Sequence, residues 1–241
     1  MLRAILRRDE IANFDAYPFN IPCVKNLREL PLHPSMTYFV GENGSGKSTL
    51  IEGLAVAAGF NAEGGSKAFN FRTSDRPTES CLSEYLTLVR GGDREKWGFF
   101  LRAESFFNVA TNINELGVSG YYGGSLHAKS HGESFMALLQ NRFEPNSLLI
   151  FDEPEAALSP ARQIVFLRML IRFIEERNCQ ILMATHSPIL MAYPDSLMYL
   201  CGADGLAKTT WQETDHYIVT KYFLERPDKM LRQLLDEGQG T

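Results

Sequence analysis

The sequence predicts an α/β fold with a mostly parallel core sheet. A glycine-rich loop lies between a short run of β-branched and aromatic residues at 36–40, typical of a strand, and a run at 49–58 with apolar residues at helical spacing. Two further apolar runs, 147–151 and 180–184, read as strands buried on both faces, and the segment between them has helical periodicity at 160–177. Strands that alternate with helices favour parallel pairing, because each helix returns the chain to the same end of the sheet.

The glycine-rich loop carries the first functional signal. Residues 41–49 read G-E-N-G-S-G-K-S-T and fit the phosphate-loop pattern G-x-x-x-x-G-K-[ST] at each fixed position. In the order strand, loop, helix, the helix N-terminus faces the loop, where backbone N–H groups can surround nucleotide phosphates. Lys47 would meet the β- and γ-phosphates, and Ser48 would offer its hydroxyl to Mg²⁺. The predicted nucleotide-binding residues of this loop are Gly41, Glu42, Asn43, Gly44, Ser45, Gly46, Lys47, Ser48 and Thr49.

The other elements follow along the chain. Residues 1–35 look like one or two strands with loops, and 60–80 like a loop. The remaining predicted elements are strands at 86–90 and 97–102 joined at Gly91-Gly92-Asp93, a helix at 132–141, and two helices within 214–235 separated near Pro227.

Composition narrows the protein class. The chain has 241 residues, 44% hydrophobic and 22% charged, which suffices for a full core in one large domain or two small ones. Its net charge of −5 argues against whole-surface attraction to nucleic acid and leaves a local basic patch open. The four cysteines lack C-x-x-C spacing, which disfavours a zinc site or a disulfide framework. Because the sequence shows neither an apolar stretch of membrane-spanning length nor the apolar region of a signal peptide, we expect a cytoplasmic protein.

Acidic residues and a histidine follow the two buried strands. Asp152 is placed to hold Mg²⁺, directly or through water, and Glu153 to orient or deprotonate an attacking water. Alternatively, these two acids could have only a structural role at the end of a strand. The phosphate loop earlier in the chain makes the catalytic interpretation the favoured one. His186 ends the next strand, where α/β sites assemble, and could hydrogen-bond the γ-phosphate; alone, such a histidine is more often structural.

A third segment, K-S-H-G-E-S at 129–134, precedes the helix predicted at 132–141. Ser130 and the Gly132 N–H could bind phosphate at that helix N-terminus. An N-cap followed by an acidic first turn, with Glu133, is the alternative that local sequence favours.

The order of these motifs resembles that of ABC-type ATPase heads: phosphate loop, S-x-G-[QE], apolar strand with Asp-Glu, then a strand-end histidine. In that family the S-x-G-[QE] segment is the signature motif, which binds the γ-phosphate of the nucleotide held by the opposite subunit. The resemblance implies one domain over 1–241, with an antiparallel β subdomain and a small helical lobe at about 104–143. It implies Glu153, His186 and Lys47 as catalytic residues, and Ser130, Gly132 and Glu133 as nucleotide contacts.

Finer details resemble one branch of that family. The segments D-E-P-E-A-A-L-S-P at 152–160 and T-H-S-P at 185–188 are similar to RecF/SMC-like and OLD-like stand-alone bacterial ATPases, of the AAA_21 type, rather than to transporter heads. Glu104 takes the place of the usual glutamine and either meets the Mg²⁺ hydration shell or is a solvated helix-start residue. Tyr17 or Phe19 either stacks on adenine or belongs to an aromatic core.

The resemblance implies an ATPase that uses ATP and Mg²⁺ and hydrolyses ATP in an ATP-dependent, head-to-tail homodimer. We expect a partner effector protein or DNA, in repair or anti-phage defence, and no direct membrane insertion. The alternatives are the nucleotide-binding subunit of an ABC membrane transporter and a non-enzymatic ATP switch. We expect one of two roles for Arg90, Arg94, Lys96 and Arg102: a basic patch that binds DNA, or a solvated strand surface.

Overall fold

The computed structural model describes residues 1–66, 80–92, 97–102 and 144–237, with side chains described through 235. Within these residues the chain is a mixed α/β protein with two sheets, as predicted. Several predicted features lie outside the described residues: the helical lobe at 104–143, the helix at 132–141, Arg94, Lys96, Glu104, Ser130, Gly132 and Glu133.

The described elements can be given in chain order. The strands are β1 (Arg3–Leu6), β2 (Glu29–Pro31), β3 (Met36–Val40), β4 (Gly65–Ser66), β5 (Leu86–Val89), β6 (Trp97–Arg102), β7 (Ser147–Asp152), β8 (Gln180–Ala184), β9 (Ser196–Gly202) and β10 (Gly205–Lys208). The α-helices are α1 (Pro22–Lys25), α2 (Lys47–Ala57), α3 (Pro160–Arg177), α4 (Asp215–Glu225) and α5 (Pro227–Glu237).

A seven-stranded sheet forms the centre of the fold, in the order β10-β9-β3-β8-β7-β6-β4. Its five inner strands are parallel, and the two edge strands, β10 and β4, are antiparallel. Because β3, β8 and β7 are parallel neighbours, the loops that follow them leave from the same edge of the sheet. This edge brings together the phosphate loop, Asp152 and the segment that begins at Thr185.

Both faces of this sheet are covered, which explains the continuous apolar runs of its strands. On one face, Phe166 and Leu170 of α3 pack into a buried cluster with Tyr38 of β3. On the other, Leu50 of α2 packs into a second cluster with Phe39, the next residue of the same strand. The alternation of Tyr38 and Phe39 between the clusters follows the two-residue period of a strand.

A smaller antiparallel sheet, in the order β2-β1-β5, matches the antiparallel β subdomain that the resemblance implies. The strands predicted at 86–90 and 97–102 are confirmed as β5 and β6, and the structure places them in different sheets. Strand β5 pairs with β1, whereas β6 lies in the large sheet, parallel to β7. The four inner residues of β6 are buried, as expected for a strand that is covered on both faces.

The helices predicted within the described residues are confirmed, and one short helix was not predicted. Helix α3 has the predicted bounds, and α4 and α5 are separated at Pro227 as expected. Within residues 1–35, which were predicted to form strands and loops, α1 is a short helix with Pro22 in its first turn. Strand structure follows it in β2. None of the helices in the described part of the chain combines the length and apolarity that a membrane crossing requires.

Candidate functional site

The phosphate loop leaves β3 and enters α2 in a conformation that requires glycine. Gly41 and Gly46 have φ angles of +139° and +94°, and Gly46 is the N-cap of α2. A Cβ at Gly46 would lie 2.8 Å from Cys23 Sγ and closer still to Ile21, and a Cβ at Gly41 would collide with the carbonyl oxygen of Cys201. The loop backbone therefore packs directly on its surroundings, which leaves its other side for a ligand.

Two polar groups of the loop are buried. Lys47 is only 3% exposed, and its Nζ donates to the carbonyl oxygen of Glu42 at 2.9 Å. Burial lowers the pKa of Lys47, and the charge of Glu153 opposes that shift. The hydroxyl of Ser45 is also buried and has no hydrogen-bond partner in the structure described. The loop thus holds a desolvated cation and a spare polar group.

The first turn of α2 meets the end of β7. Ser48 Oγ donates to Asp152 Oδ1 at 3.1 Å, and Asp152 is buried. Across the strands, Arg102 of β6 is paired in register with Asp152 of β7, and its Nε lies 3.5 Å from Asp152 Oδ2. Arg102 also donates to Glu52 Oε2 of α2 at 2.6 Å. The Asp152 carboxylate is therefore fixed from both sides.

This geometry corrects the expectation for Arg102. Its side chain is only 20% exposed and is engaged by two carboxylates, so it does not belong to a DNA-binding patch or to a solvated strand surface. Arg102 and Glu52 were not predicted as part of the site. The available signal was the position of Arg102, which ends a strand at the same sheet edge as Asp152.

Glu153 turns away from β7 with a left-handed backbone, at φ +51°. Its N–H donates to the carbonyl oxygen of Ala184 at 2.9 Å, which ties the end of β7 to the end of β8. Its side chain is 35% exposed, and its Oε1 lies 3.1 Å from His186 Nε2. Glu153 is thus close to the phosphate loop and accessible to water.

His186 is held at three points. Its backbone N–H donates to Glu155 Oε1 at 2.5 Å, its Nε2 contacts Glu153, and its Nδ1 lies 2.7 Å from His216 Nε2. Burial and the charge of Lys47 lower the pKa of His186, whereas Glu153 opposes them. Burial also raises the pKa of Glu155. Burial therefore favours the neutral form of the His186 ring.

The structure brings together five of the predicted residues: Lys47, Ser48, Asp152, Glu153 and His186. Sequence reasoning missed His216, which lies in α4 and carried no motif. Of the two aromatic residues considered for adenine stacking, Phe19 is buried against Phe14 and Tyr85, the aromatic-core alternative. Tyr17 is exposed, and its hydroxyl lies 3.5 Å from Thr49 Oγ1, so stacking by Tyr17 stays a prediction.

An open cleft of ≈ 400 Å³ lies beside the phosphate loop. Residues 41–45 form one wall, and residues 200–203 and 214–216 contribute the rest together with Pro22. His216 therefore reaches both this cleft and the ring of His186.

Two family models match parts of the chain, and several known proteins are similar to it. The AAA_23 family model, an AAA domain, matches residues 10–116, and the AAA_15 model, an AAA ATPase domain, matches 130–191. The thiamine import ATP-binding protein ThiQ of Vibrio vulnificus (strain YJ016) is 27% identical over 166 residues, 63% of this chain and 70% of that protein. The structural maintenance of chromosomes protein 6 of Takifugu rubripes is 28% identical over 102 residues, 42% of this chain and 7% of that protein.

Among solved structures, the SMC head domain from Thermotoga maritima aligns with a TM-score of 0.41 at 16% identity, over 76% of this chain and 92% of that one. The matched family models do not test the narrower AAA_21 assignment, which stays a prediction. The family-model matches and the ATP-binding relatives, together with the phosphate loop, support an ATP hydrolase of the P-loop type.

Proposed function

We propose that this chain binds Mg·ATP in its phosphate loop and hydrolyses ATP to ADP and phosphate at the interface of a head-to-tail homodimer. The whole chain, 1–241, would act as one domain, with the helical lobe at about 104–143. The observation that carries the proposal is the junction at the sheet edge: Ser48 bonded to Asp152, and Glu153 next to it bonded to His186.

The residues present fit a magnesium nucleotide. The glycine cradle, the buried hydroxyl of Ser45 and the cation of Lys47 are donors suited to phosphate oxygens. Ser48 and Asp152 supply the oxygen ligands that Mg²⁺ prefers, with Glu104 as a predicted third group. Mg²⁺ held by Ser48 and Asp152 would supply positive charge that offsets the negative charge of the phosphate groups.

Lys47 has a specific part in binding. Its ammonium is buried and is held by the carbonyl oxygen of Glu42, a neutral acceptor. Phosphate oxygens carry full negative charge and would be stronger partners for the same cation. Turning Lys47 from Glu42 to the β- and γ-phosphates therefore stabilises the bound nucleotide without a further desolvation of the side chain.

Glu153 and His186 would act on the γ-phosphate side. Glu153 can accept a proton from, or orient, a water that reaches its exposed oxygen, the role of a general base. In its neutral form, His186 can donate one N–H to a γ-phosphate oxygen. Positioning and charge stabilisation by these fixed groups would supply most of the rate effect.

The second half of the site would come from another copy of the chain. Ser130, Gly132 and Glu133 of one copy would contact the γ-phosphate of the nucleotide held by the other. ATP would then stabilise the closed dimer, and hydrolysis would remove that stabilisation. Such a cycle could drive a partner effector protein or act on DNA, in repair or anti-phage defence.

The second candidate is the nucleotide-binding subunit of an ABC membrane transporter. It is favoured by the relatives named as thiamine import ATP-binding proteins. A membrane partner would distinguish it from the first proposal. Co-purification of the chain with a multi-span membrane protein from its native host would support this candidate, and recovery with a non-membrane effector or DNA would support the first.

The substitution Glu153→Gln tests the hydrolytic role. It keeps the size and removes the basic carboxylate, so we expect turnover to fall by at least about 100-fold while ATP affinity changes little. Glu175→Gln, the same chemical change at an exposed residue of α3, is the matched control and should keep full activity. A Glu153→Gln protein that releases phosphate at the unmodified rate would show that the base assignment is wrong.

A further inference from the structure

We propose that His216 is a positioning residue that fixes the tautomer of His186, so that the proton sits on His186 Nε2. The γ-phosphate contact of that N–H rests on the proposed function, whereas the tautomer itself does not. The geometry that suggests this role is a continuous chain of three side chains, Glu153, His186 and His216, with contacts of 3.1 Å and 2.7 Å.

His216 is held in place by the start of α4. Thr214 is the N-cap of this helix, is almost fully buried, and accepts from the N–H of Tyr217. Its hydroxyl donates to the carbonyl oxygen of Trp211 at 2.7 Å. Because the cap is fixed on both sides, the second residue of the helix, His216, is presented to His186 in a defined position. The two rings lie 4.7 Å apart, centroid to centroid, at 52°.

The positions of the protons follow from what each group can donate. An ionised carboxylate only accepts, so the contact with Glu153 requires a proton on His186 Nε2. A neutral imidazole carries one proton, and burial lowers the pKa of His186 and so favours the neutral ring. Nδ1 is then an acceptor, and His216 must donate to it through its own Nε2. The opposite tautomer would set a nitrogen lone pair against a carboxylate oxygen.

This tautomer matters for the reaction. A phosphate oxygen, like a carboxylate, accepts hydrogen bonds, so only the Nε2–H form of His186 can contact the γ-phosphate favourably. Without the His216 donor, only Glu153 would favour the proton on Nε2, and the Nδ1–H form, which loses the γ-phosphate contact, would be more populated. His216 therefore acts on catalysis through His186 and not by touching the reacting atoms.

Two substitutions separate this role from simple packing. His216→Leu removes the donor, whereas His216→Gln keeps a side-chain N–H that can reach the position of Nε2. We expect the turnover number of His216→Leu to fall about tenfold, with a KM for ATP within about twofold of the unmodified value. His216→Gln should recover most of the rate. Tyr217→Phe, the neighbouring residue of α4, serves as the control and should keep full activity.

A direct measurement of the tautomer uses nucleotide-free protein. With ¹⁵N-labelled histidine, NMR should show His186 protonated at Nε2 in the unmodified chain and in His216→Gln, and a loss of that preference in His216→Leu. His186→Gln, which removes the signal, assigns it. Because this readout needs neither ATP nor turnover, it also serves if a variant is poorly active.

Three results would overturn the inference: a His186 proton on Nδ1 in the unmodified protein, full turnover in His216→Leu, or a His216→Gln protein as slow as His216→Leu. Failure of the proposed function gives a different pattern. In that case Glu153→Gln would keep full turnover, while the NMR tautomer of His186 would still report on His216.

Discussion

Replacing Gly46 with alanine tests whether the phosphate loop is as tightly packed as the structure indicates. Gly46 has φ +94°, a conformation that disfavours any side chain. The added methyl group would also lie 2.8 Å from Cys23 Sγ and closer to Ile21 Cγ2. Both neighbours belong to the segment around α1 that packs beneath the loop. The substitution therefore combines backbone strain with overpacking.

The two contributions can be separated. The left-handed backbone costs alanine about 1 kcal/mol, and forcing a methyl group into a filled space typically costs about 1–3 kcal/mol. We therefore expect Gly46→Ala to lower the free energy of unfolding by about 2–4 kcal/mol. Gly44 has φ +78° and open space around its added Cβ, so Gly44→Ala should lose only about 1 kcal/mol.

Urea unfolding of the nucleotide-free proteins measures the difference between these variants. A gap of about 2 kcal/mol would correspond to a difference of about 4–8 °C in Tm for a protein of this size. If Gly46→Ala and Gly44→Ala unfolded within about 0.5 kcal/mol of each other, the packing of Ile21 and Cys23 against the loop would be refuted.

Two further predictions concern buried charges. Lys47→Met should abolish detectable ATP binding and yet raise the free energy of unfolding by about 1 kcal/mol, because it removes a desolvated ammonium. Calorimetry with and without ATP measures both quantities. A lower free energy of unfolding in this variant would contradict the reasoning. Arg102→Met should lower the free energy of unfolding by about 3 kcal/mol, because Glu52 and Asp152 lose their buried cation. Adding Glu52→Gln to this variant should recover part of the lost stability. Strictly additive effects of the two substitutions would show that Arg102 and Glu52 are not coupled.

The central strands and the phosphate loop could be predicted because their signals are local. The continuous apolar run of β7 specifies a buried strand. The helical periodicity of apolar residues over the 18 residues of α3 specifies a helix with one buried face. The glycines and Lys47 of the loop have a fixed spacing, and the structure shows why Gly46 cannot carry a side chain. At these positions local sequence and tertiary environment agree.

The remaining features depend on pairing between distant segments. The turn residues after β5 indicate where that strand ends, but turn chemistry does not determine which sheet each flanking strand joins. Arg102 meets Glu52 of α2 from 50 residues away, and His216 meets His186 from 30 residues away. Neither residue belongs to a motif, so only the assembled sheet edge reveals its partners.

The homodimer is the claim on which the proposed cycle depends, and sedimentation velocity of Glu153→Gln tests it most directly. With saturating Mg·ATP, this slow variant should sediment as a species of twice the 27.2 kDa chain mass, and with ADP as a single chain. A Glu153→Gln protein that binds ATP and still sediments as one chain would contradict the sharing of each nucleotide by two copies.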